Sequence, residues 1–546
     1  MFILIVVIAF ILRFWQLGSV PILNADEAAI GYNAYSLLST GKDEHGNSWP
    51  VHFQSFNDFK PGLYFYLVLP FVKVLGLNEW AVRIPGATFG VGTVVVVYFL
   101  LKELSPNQRR FQIFKLQFSI SEVAALFLAI SPWHLHFSRG GWEVNVSTFF
   151  ITTGVWLFLK SLKSPRYYFL SFLAFAASLY TYHSARIIVP LIGIGLATIY
   201  FRDIKNNLRY FLISVLVVST LLTPLVKDLL GPAGVSRASG VGILADPGPV
   251  NRVNEQRGEH DNISSPIAKI IHNKQINYTL AFVYNWAKHY RGEFLFLSGD
   301  EIQRNKVPET GQMYLLDLIF LIFGITTLVK NFNKENKFIL YWLAIAPVAA
   351  ALTFQSPHAL RAHNMIIPLV VISATGFVSL LNCLKSWVTK ITLLRTTYIL
   401  LAVSLIWSFA RYEHMYWIHM IKEYPFSSQY GVKELVTYVV ENQDKYKNIV
   451  VTDRYDQPYV LFLFYLKYPP QKFQGGHILT PRDQFGFSTV RGFDKYIFES
   501  IHWDEFRDKF KGSLIVGTDK EIPDGFNIIK RIYFPNGDVA FKLESN

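Results

Sequence analysis

The sequence predicts a mainly α-helical, polytopic membrane protein of about eleven transmembrane helices with a small C-terminal extracytoplasmic α/β domain. Three observations carry this reading. Half of the 546 residues are hydrophobic (51%) and only 17% are charged, against about 25% charged in an ordinary soluble domain. The shortage of charge is local and ends near residue 411. Before that point, short loops alternate between rich and poor in Lys and Arg, as in a chain threaded repeatedly through a bilayer. The chain therefore divides into a membrane domain, 1–411, and a soluble domain, 412–546.

A helix crosses the bilayer with about 17–25 apolar residues. Candidate spans are 1–17, 80–101, 117–137, 145–161, 167–182, 187–201, 210–226, 313–330, 338–354, 364–384 and 393–411. The first lacks a basic start and a small-x-small cleavage site, and Arg13 follows its apolar stretch, so it reads as a span and not as a cleavable signal.

Charge sets the orientation. One set of loops holds Lys102, Arg109, Arg110 and Lys115; Lys160, Lys163 and Arg166; Arg202, Lys205 and Arg209; Lys330, Lys334 and Lys337; and Lys385, Lys390 and Arg395. The short loops of the opposite set hold one arginine each: Arg139, Arg186 and Arg361. The basic set is cytoplasmic, as is the N-terminus, and residues 18–79, 227–312 and 412–546 face outward. Topology thus accounts for the net charge of +13, and no nucleic-acid partner is implied. The single cysteine, Cys383, lies in an apolar run and excludes a disulfide framework.

In the first outward segment, Asn24-Ala25-Asp26 supplies capping residues for a helix whose Ile30, Ala34, Leu37 and Leu38 share one face, ending at Gly41. Pro61 opens a second apolar segment, 61–76, read as a helix lying at the interface because a crossing there would invert every later loop. The loop 227–312 is rich in Gly, Pro and Asn near 231–251, the composition of a lid or substrate-contact loop. In the tail, 448–452 and 513–518 read as strands, 430–441 and 457–467 as helices, and 528–542 as a hairpin around Pro535-Asn536-Gly537-Asp538.

The chemistry gathers on the outward face. Asp26 and Glu27 begin a helix at the membrane surface, where helix capping alone would also explain them. Glu143 follows Ser138-Arg139-Gly140-Gly141-Trp142, where a solvated loop carboxylate is the plain alternative. Each outward arginine has histidine nearby: His134 and His136 with Arg139, His183 with Arg186, and His358 and His363 with Arg361. One such arginine is explained as a snorkelling anchor; three call for an anionic ligand, which Arg binds through paired hydrogen bonds. Lys60 adds a further cation. A carboxylate base beside a phosphate clamp suits group transfer from a lipid phosphate, since an attacking hydroxyl sheds a proton and a phosphate leaving group needs cations.

The run Asp26-Glu27-Ala28-Ala29 to Gly41, then Lys60-Pro61-Gly62-Leu63, then Asn78-Glu79-Trp80-Ala81-Val82-Arg83 resembles the first outward loop of polyprenyl-phosphate-dependent glycosyltransferases of the GT-C superfamily. The likeness is to the protein O-mannosyltransferase and aminoarabinose transferase group. It covers residues 1–411 in architecture, with its motifs in the first 145 residues and at Ser356-Pro357-His358-Ala359-Leu360-Arg361-Ala362. The resemblance implies an inverting transferase that moves a sugar from a polyprenyl-phosphate donor to a lipid, glycan or protein acceptor outside the membrane. It implies Asp26 as the acid at the reaction centre, with Glu27 beside it, Glu143 as the second acidic position and Lys60 as the lysine before the proline motif. Where that group often has two prolines, this chain has Pro61-Gly62.

Arg139, Arg186 and Arg361 as further phosphate ligands rest on the charge argument, with His183, His358 and His363 as substrate-side groups. Two other classes fit less well. A flippase or transporter places ionisable groups inside broken helices, whereas these spans are nearly free of charge. A polymerase or ligase of lipid-linked glycans shares the spans and arginines without needing Asp26-Glu27. The acids and histidines are compatible with a divalent cation, yet no ligand spacing singles out a metal site.

Overall fold

The computed structural model describes residues 1–56, 58–105, 111–113, 116–231, 234, 242–481 and 488–546. Arg109, Arg110 and Lys115, used above for orientation, and part of the 231–251 stretch lie outside the described residues. The chain forms two compact units. One comprises Met1–Ala9, Gly90–His136 and Ser147–Arg411; the other comprises Phe10–Phe89, Phe137–Val146 and Tyr412–Asn546.

The helices begin with α1 (Phe2–Phe14), α2 (Ala25–Thr40), α3 (Leu63–Leu75) and α4 (Glu79–Leu104). They continue with α5 (Ile120–Ile130), α6 (Pro132–Ser138) and α7 (Glu143–Ser161). Further apolar helices follow, among them Tyr167–Leu179, Ala185–Ile199, Leu208–Leu221, Leu315–Lys330, Ile366–Trp387 and Ile391–His414.

Among the described residues, three helical stretches are long and apolar enough to cross a membrane: Glu79–Leu104, His363–Trp387 and Ile391–Glu423. Two more are bent pairs. Ile120–Ile130 and Pro132–Ser138 meet at 58°, and Leu208–Leu221 and Thr223–Leu229 meet at 49°. These pairs fall on the candidate spans 117–137 and 210–226. Pro132 and Pro224 explain the breaks, because proline lacks the N–H that would continue the helical ladder.

In the first unit, the helix Leu315–Lys330 lies directly on Ile366–Trp387, and glycines allow the approach. A Cβ on Gly376 would overlap the Phe320 carbonyl oxygen, and one on Gly324 that of Ile372. Small residues at a helix contact are how membrane helices gain close packing. On Ile391–His414, by contrast, Leu393, Leu400, Ile406 and Trp407 are all exposed. An apolar surface of that extent fits lipid and not water, so the chain is a polytopic membrane protein.

The second unit combines the first outward segment with the tail. A hairpin, β1 (His52–Ser55) and β2 (Asp58–Pro61), pairs Phe53 with Lys60 and delivers Lys60 beside α2. The short hairpin β3 (Phe111–Ile113) and β4 (Leu116–Phe118) belongs to the first unit. The tail folds as a seven-stranded mixed sheet from β5 (Ile449–Val451), β6 (His477–Leu479), β7 (Val490–Phe493), β8 (Tyr496–Phe498), β9 (Leu514–Gly517), β10 (Ile528–Tyr533) and β11 (Val539–Ser545). The order is β10-β11-β9-β5-β8-β7-β6, with β5 parallel to both neighbours and the other pairs antiparallel.

The tail grips α2. Its helix Pro458–Leu466 is apolar on every side and buried through Phe464, as a helix without a polar face must be. The Tyr32 hydroxyl donates to the Tyr468 carbonyl at 3.0 Å, and Gln474 Nε2 donates to Ser36 Oγ, Thr40 Oγ1 and the Asp43 carbonyl. Gly31 is where the two helices touch: a Cβ there would stand 2.6 Å from Phe464 and 2.7 Å from Val82. Gly31→Val should therefore destabilise the second unit by about 1–3 kcal/mol, the usual cost of overpacking. A clear drop in the unfolding temperature of the detergent-purified protein is expected, and an unchanged melt would show that the contact is soft.

Candidate active site

The site is built on the N-terminus of α2. Asn24 is the N-cap: its side chain accepts from the Glu27 N–H at 3.0 Å, while Glu27 reaches back to the Asn24 N–H at 3.2 Å. This reciprocal box satisfies two of the free donors of a helix start. A third, the Ala25 N–H, donates to Gln429 Oε1 from the tail at 2.7 Å. Gly41 ends the helix in the left-handed region (φ 71°).

Glu27 is completely buried and does more than cap. Arg83, equally buried, donates to both of its carboxylate oxygens, through Nε at 2.6 Å and Nη2 at 2.7 Å. The other Arg83 nitrogen, Nη1, donates to the Leu17 and Pro21 carbonyls. The Gly141 N–H adds a third donor to Glu27 at 2.8 Å. A Cβ on Gly141 would stand 3.2 Å from the Glu27 side chain, so glycine permits the approach. Buried charges survive only when paired and hydrogen-bonded in this way.

Asp26, one residue earlier, points elsewhere. Its carboxylate accepts from Lys60 Nζ at 2.5 Å, with 25% of the Asp26 side chain exposed and 11% of that of Lys60. The Lys60 ammonium also lies 4.8 Å over the Phe56 ring. Asn24 and Glu27 form the cap, and the Asp26 carboxylate is turned to Lys60.

The remaining residues singled out in the sequence are placed as follows. Glu143 is buried in the first turn of α7, within electrostatic reach of the Tyr64 hydroxyl. Arg139 donates to the carbonyls of Leu12, Trp15 and Val20 and to the Tyr416 hydroxyl, and stacks 4.7 Å from the Trp417 ring. The guanidinium ties backbone segments together with the donors that a phosphate would use. Asp26, Glu27, Lys60, Arg139 and Glu143 all belong to the second unit; His183, Arg186, His358, Arg361 and His363 belong to the first. There Arg186 donates to His183 Nδ1 at 3.0 Å, and Arg361 to Thr353 Oγ1 at 2.7 Å. His363 pairs with Thr148 Oγ1 at 2.9 Å, and the His358 N–H donates to His289 Nε2 at 3.1 Å. Among the described residues, no group of three or more His, Cys, Asp or Glu is arranged to hold a metal ion.

Sequence reasoning missed Glu44. Between Asp43 and His45 it reads as part of a solvated turn, yet it is fully buried. The Tyr459 hydroxyl reaches its Oε1 at 3.5 Å; among the described residues nothing hydrogen-bonds Oε2. Burial, reinforced by the neighbouring Asp43 charge, pushes the carboxyl up to about 8. His45 stands 3.5 Å from it and is pushed down to about 4, by burial and then by His477. At neutral pH their contact thus joins two uncharged groups.

No protein-family model matches the chain, and no curated protein matches it. Solved structures do. The fold is shared with solved structures of ArnT and of an archaeal oligosaccharyltransferase. ArnT from Cupriavidus metallidurans superposes over 99% of this chain and 97% of its own, with a TM-score of 0.55 in the apo state and 11% identity. Its structure bound to undecaprenyl phosphate gives a TM-score of 0.52. The archaeal oligosaccharyltransferase AglB from Archaeoglobus fulgidus, in complex with an inhibitory peptide and a dolichol-phosphate, matches over 85% of this chain (TM-score 0.51, 12% identity). This chain spans 63% of the AglB length. At these identities the likeness is one of fold.

Glu44 yields a pH signature. Unfolded, it ionises near its ordinary 4.5; folded, it keeps its proton up to about 8. Its contribution to stability is therefore complete below the first value and is lost as pH rises towards the second. Relative to Glu44→Gln, which cannot ionise, the wild type should lose unfolding temperature steadily between about pH 5 and 8. Parallel melting profiles across that window would contradict this assignment.

Proposed function

We propose that the protein is a glycosyltransferase that moves a sugar from a polyprenyl-phosphate donor to a lipid, glycan or protein acceptor on the outer face of the membrane, with inversion. The observation that carries this is the Asp26–Lys60 pair: a partly exposed carboxylate and a cation, held together at the start of α2 while the neighbouring Glu27 is wholly committed to Arg83. The undecaprenyl phosphate and dolichol-phosphate in the ArnT and AglB structures support the donor class.

In the proposed reaction the acceptor hydroxyl attacks the anomeric carbon and the bond from that carbon to the phosphate oxygen breaks. Asp26 takes the hydroxyl proton, and Lys60 receives the phosphate that leaves with the electron pair. Donor arrival draws the Lys60 ammonium towards the phosphate and so releases Asp26 to act as base. Glu27 and Arg83 position α2. Glu143 is the second acid of the site; in the first unit, Arg186 and Arg361 are phosphate ligands, and His183, His358 and His363 are substrate-side groups. A divalent cation at Asp26 would compete with Lys60 for the same carboxylate oxygen.

The topology proposed with this function has about eleven crossings, a cytoplasmic N-terminus and residues 412–546 outside as the soluble domain that braces α2. Bent and short helices such as Tyr167–Leu179 and Ala185–Ile199 supply the crossings beyond the long ones. Membranes offered a panel of labelled polyprenyl-phosphate sugars should transfer label to an endogenous acceptor. Asp26→Asn should lower that transfer at least about 100-fold, the low end for a lost general base, with normal expression and folding. Transfer at the wild-type rate by this variant would remove Asp26 as base.

A further inference from the structure

The backbone of the motif Ser356-Pro357-His358-Ala359 is heavily used. The Lys288 ammonium donates to the Ser356 carbonyl at 3.0 Å, and the Ala359 N–H donates to Asp300 Oδ2 at 2.6 Å. Pro357 lines the wall of a cavity of about 130 Å³ in the first unit, far more than the roughly 10–15 Å³ that admits one water. Lys288, Arg291 and Lys306 line it, and the Lys288 and Arg291 head groups also lie 4.8 and 4.9 Å over the Tyr284 ring.

The walls are fixed by local chemistry. His289 holds its Nδ1 at 2.9 Å from the Asn285 carbonyl and accepts the His358 N–H on Nε2, the pattern of a neutral imidazole. Burial pushes its pKa down to about 4, which agrees with that pattern. Gly299, in the left-handed region (φ 71°), turns the chain so closely against Lys306 that a Cβ would stand 3.4 Å from the Lys306 Cβ and 2.9 Å from the Thr310 carbonyl oxygen. The cavity also holds carboxylates. Asp300 is buried and occupied by the N–H groups of Ile302 and Ala359 and by Asn305 Nδ2. Glu293 and Glu301 stand exposed at the rim.

We propose that this cavity binds a phosphate ester carrying hydroxyl groups: Lys288, Arg291 and Lys306 take the phosphate oxygens, and the rim carboxylates of Glu293 and Glu301 accept from the hydroxyls. Such a ligand is either the head of a sugar phosphate or a glycerophosphate headgroup. The site is independent of Asp26 and Lys60 and stands whether or not the transfer reaction is the one proposed.

The test uses the full-length protein in phosphatidylcholine nanodiscs in the Lys60→Gln background, which removes the phosphate-receiving lysine proposed above. Glucose 1-phosphate and glycerol 1-phosphate are titrated separately. Binding of at least one is expected, weakened about tenfold or more by Arg291→Gln with Lys306→Gln and restored by Lys306→Arg placed beside the native Arg291. Tighter binding of the sugar phosphate assigns the site to a lipid-linked sugar; tighter binding of glycerol 1-phosphate assigns it to a phospholipid headgroup. No binding of either probe, or equal binding by the double variant with an unchanged melt, overturns the proposal.

Discussion

The buried pair of Glu27 and Arg83 is the constraint on which the second unit depends. Two full charges sit without solvent, and each must have every strong hydrogen-bonding direction answered. Glu27 is answered by Arg83, by the Asn24 backbone and by Gly141; Arg83 by Glu27 and the Leu17 and Pro21 carbonyls. Four separate pieces of chain, those around residues 17–21, 24–27, 83 and 141, are fixed by this one interaction. None can shift without stranding a buried charge.

Asp26 stands beside that network and meets Lys60. A helix start needs its N–H groups satisfied, and here Asn24, Glu27 and Gln429 do so. Lys60, which pairs with Asp26, arrives on β2 in register with Phe53. The tail contributes from the other side: Gln429, Tyr468 and Gln474 hold α2 along its length, and Tyr459 closes over the neutral Glu44. The C-terminal sheet is thus a brace for the first outward segment, built around a core that includes Val450, Trp503, Phe506 and Ile515.

Much of this was legible in the sequence, and the reason is local. The cap at Asn24 and the stop at Gly41 depend on residues within a few positions of each other, so α2 could be bounded from sequence. The same holds for the tail, where 449–451, 514–517 and the hairpin 528–545 fall close to the β-rich runs. What escaped was long-range or averaged. Arg83 lies at the head of an apolar helix, and its partner is 56 residues away. Glu44 is buried, and its Tyr459 partner lies 415 residues further along the chain. The contacts of Arg139 with the Leu12, Trp15 and Val20 carbonyls span more than a hundred residues of sequence. The bends at Pro132 and Pro224 were hidden because hydropathy over a window does not register a missing N–H.

The most direct test of this account is a double-mutant cycle on the central pair, read by equilibrium unfolding of the detergent-solubilised protein. Glu27→Gln and Arg83→Leu should each cost about 3–5 kcal/mol, since each leaves a buried charge uncompensated. The double variant should cost less than the sum, with a coupling of roughly 1–3 kcal/mol. Strictly additive losses, or single variants as stable as the wild type, would contradict the claim that this pair organises the site.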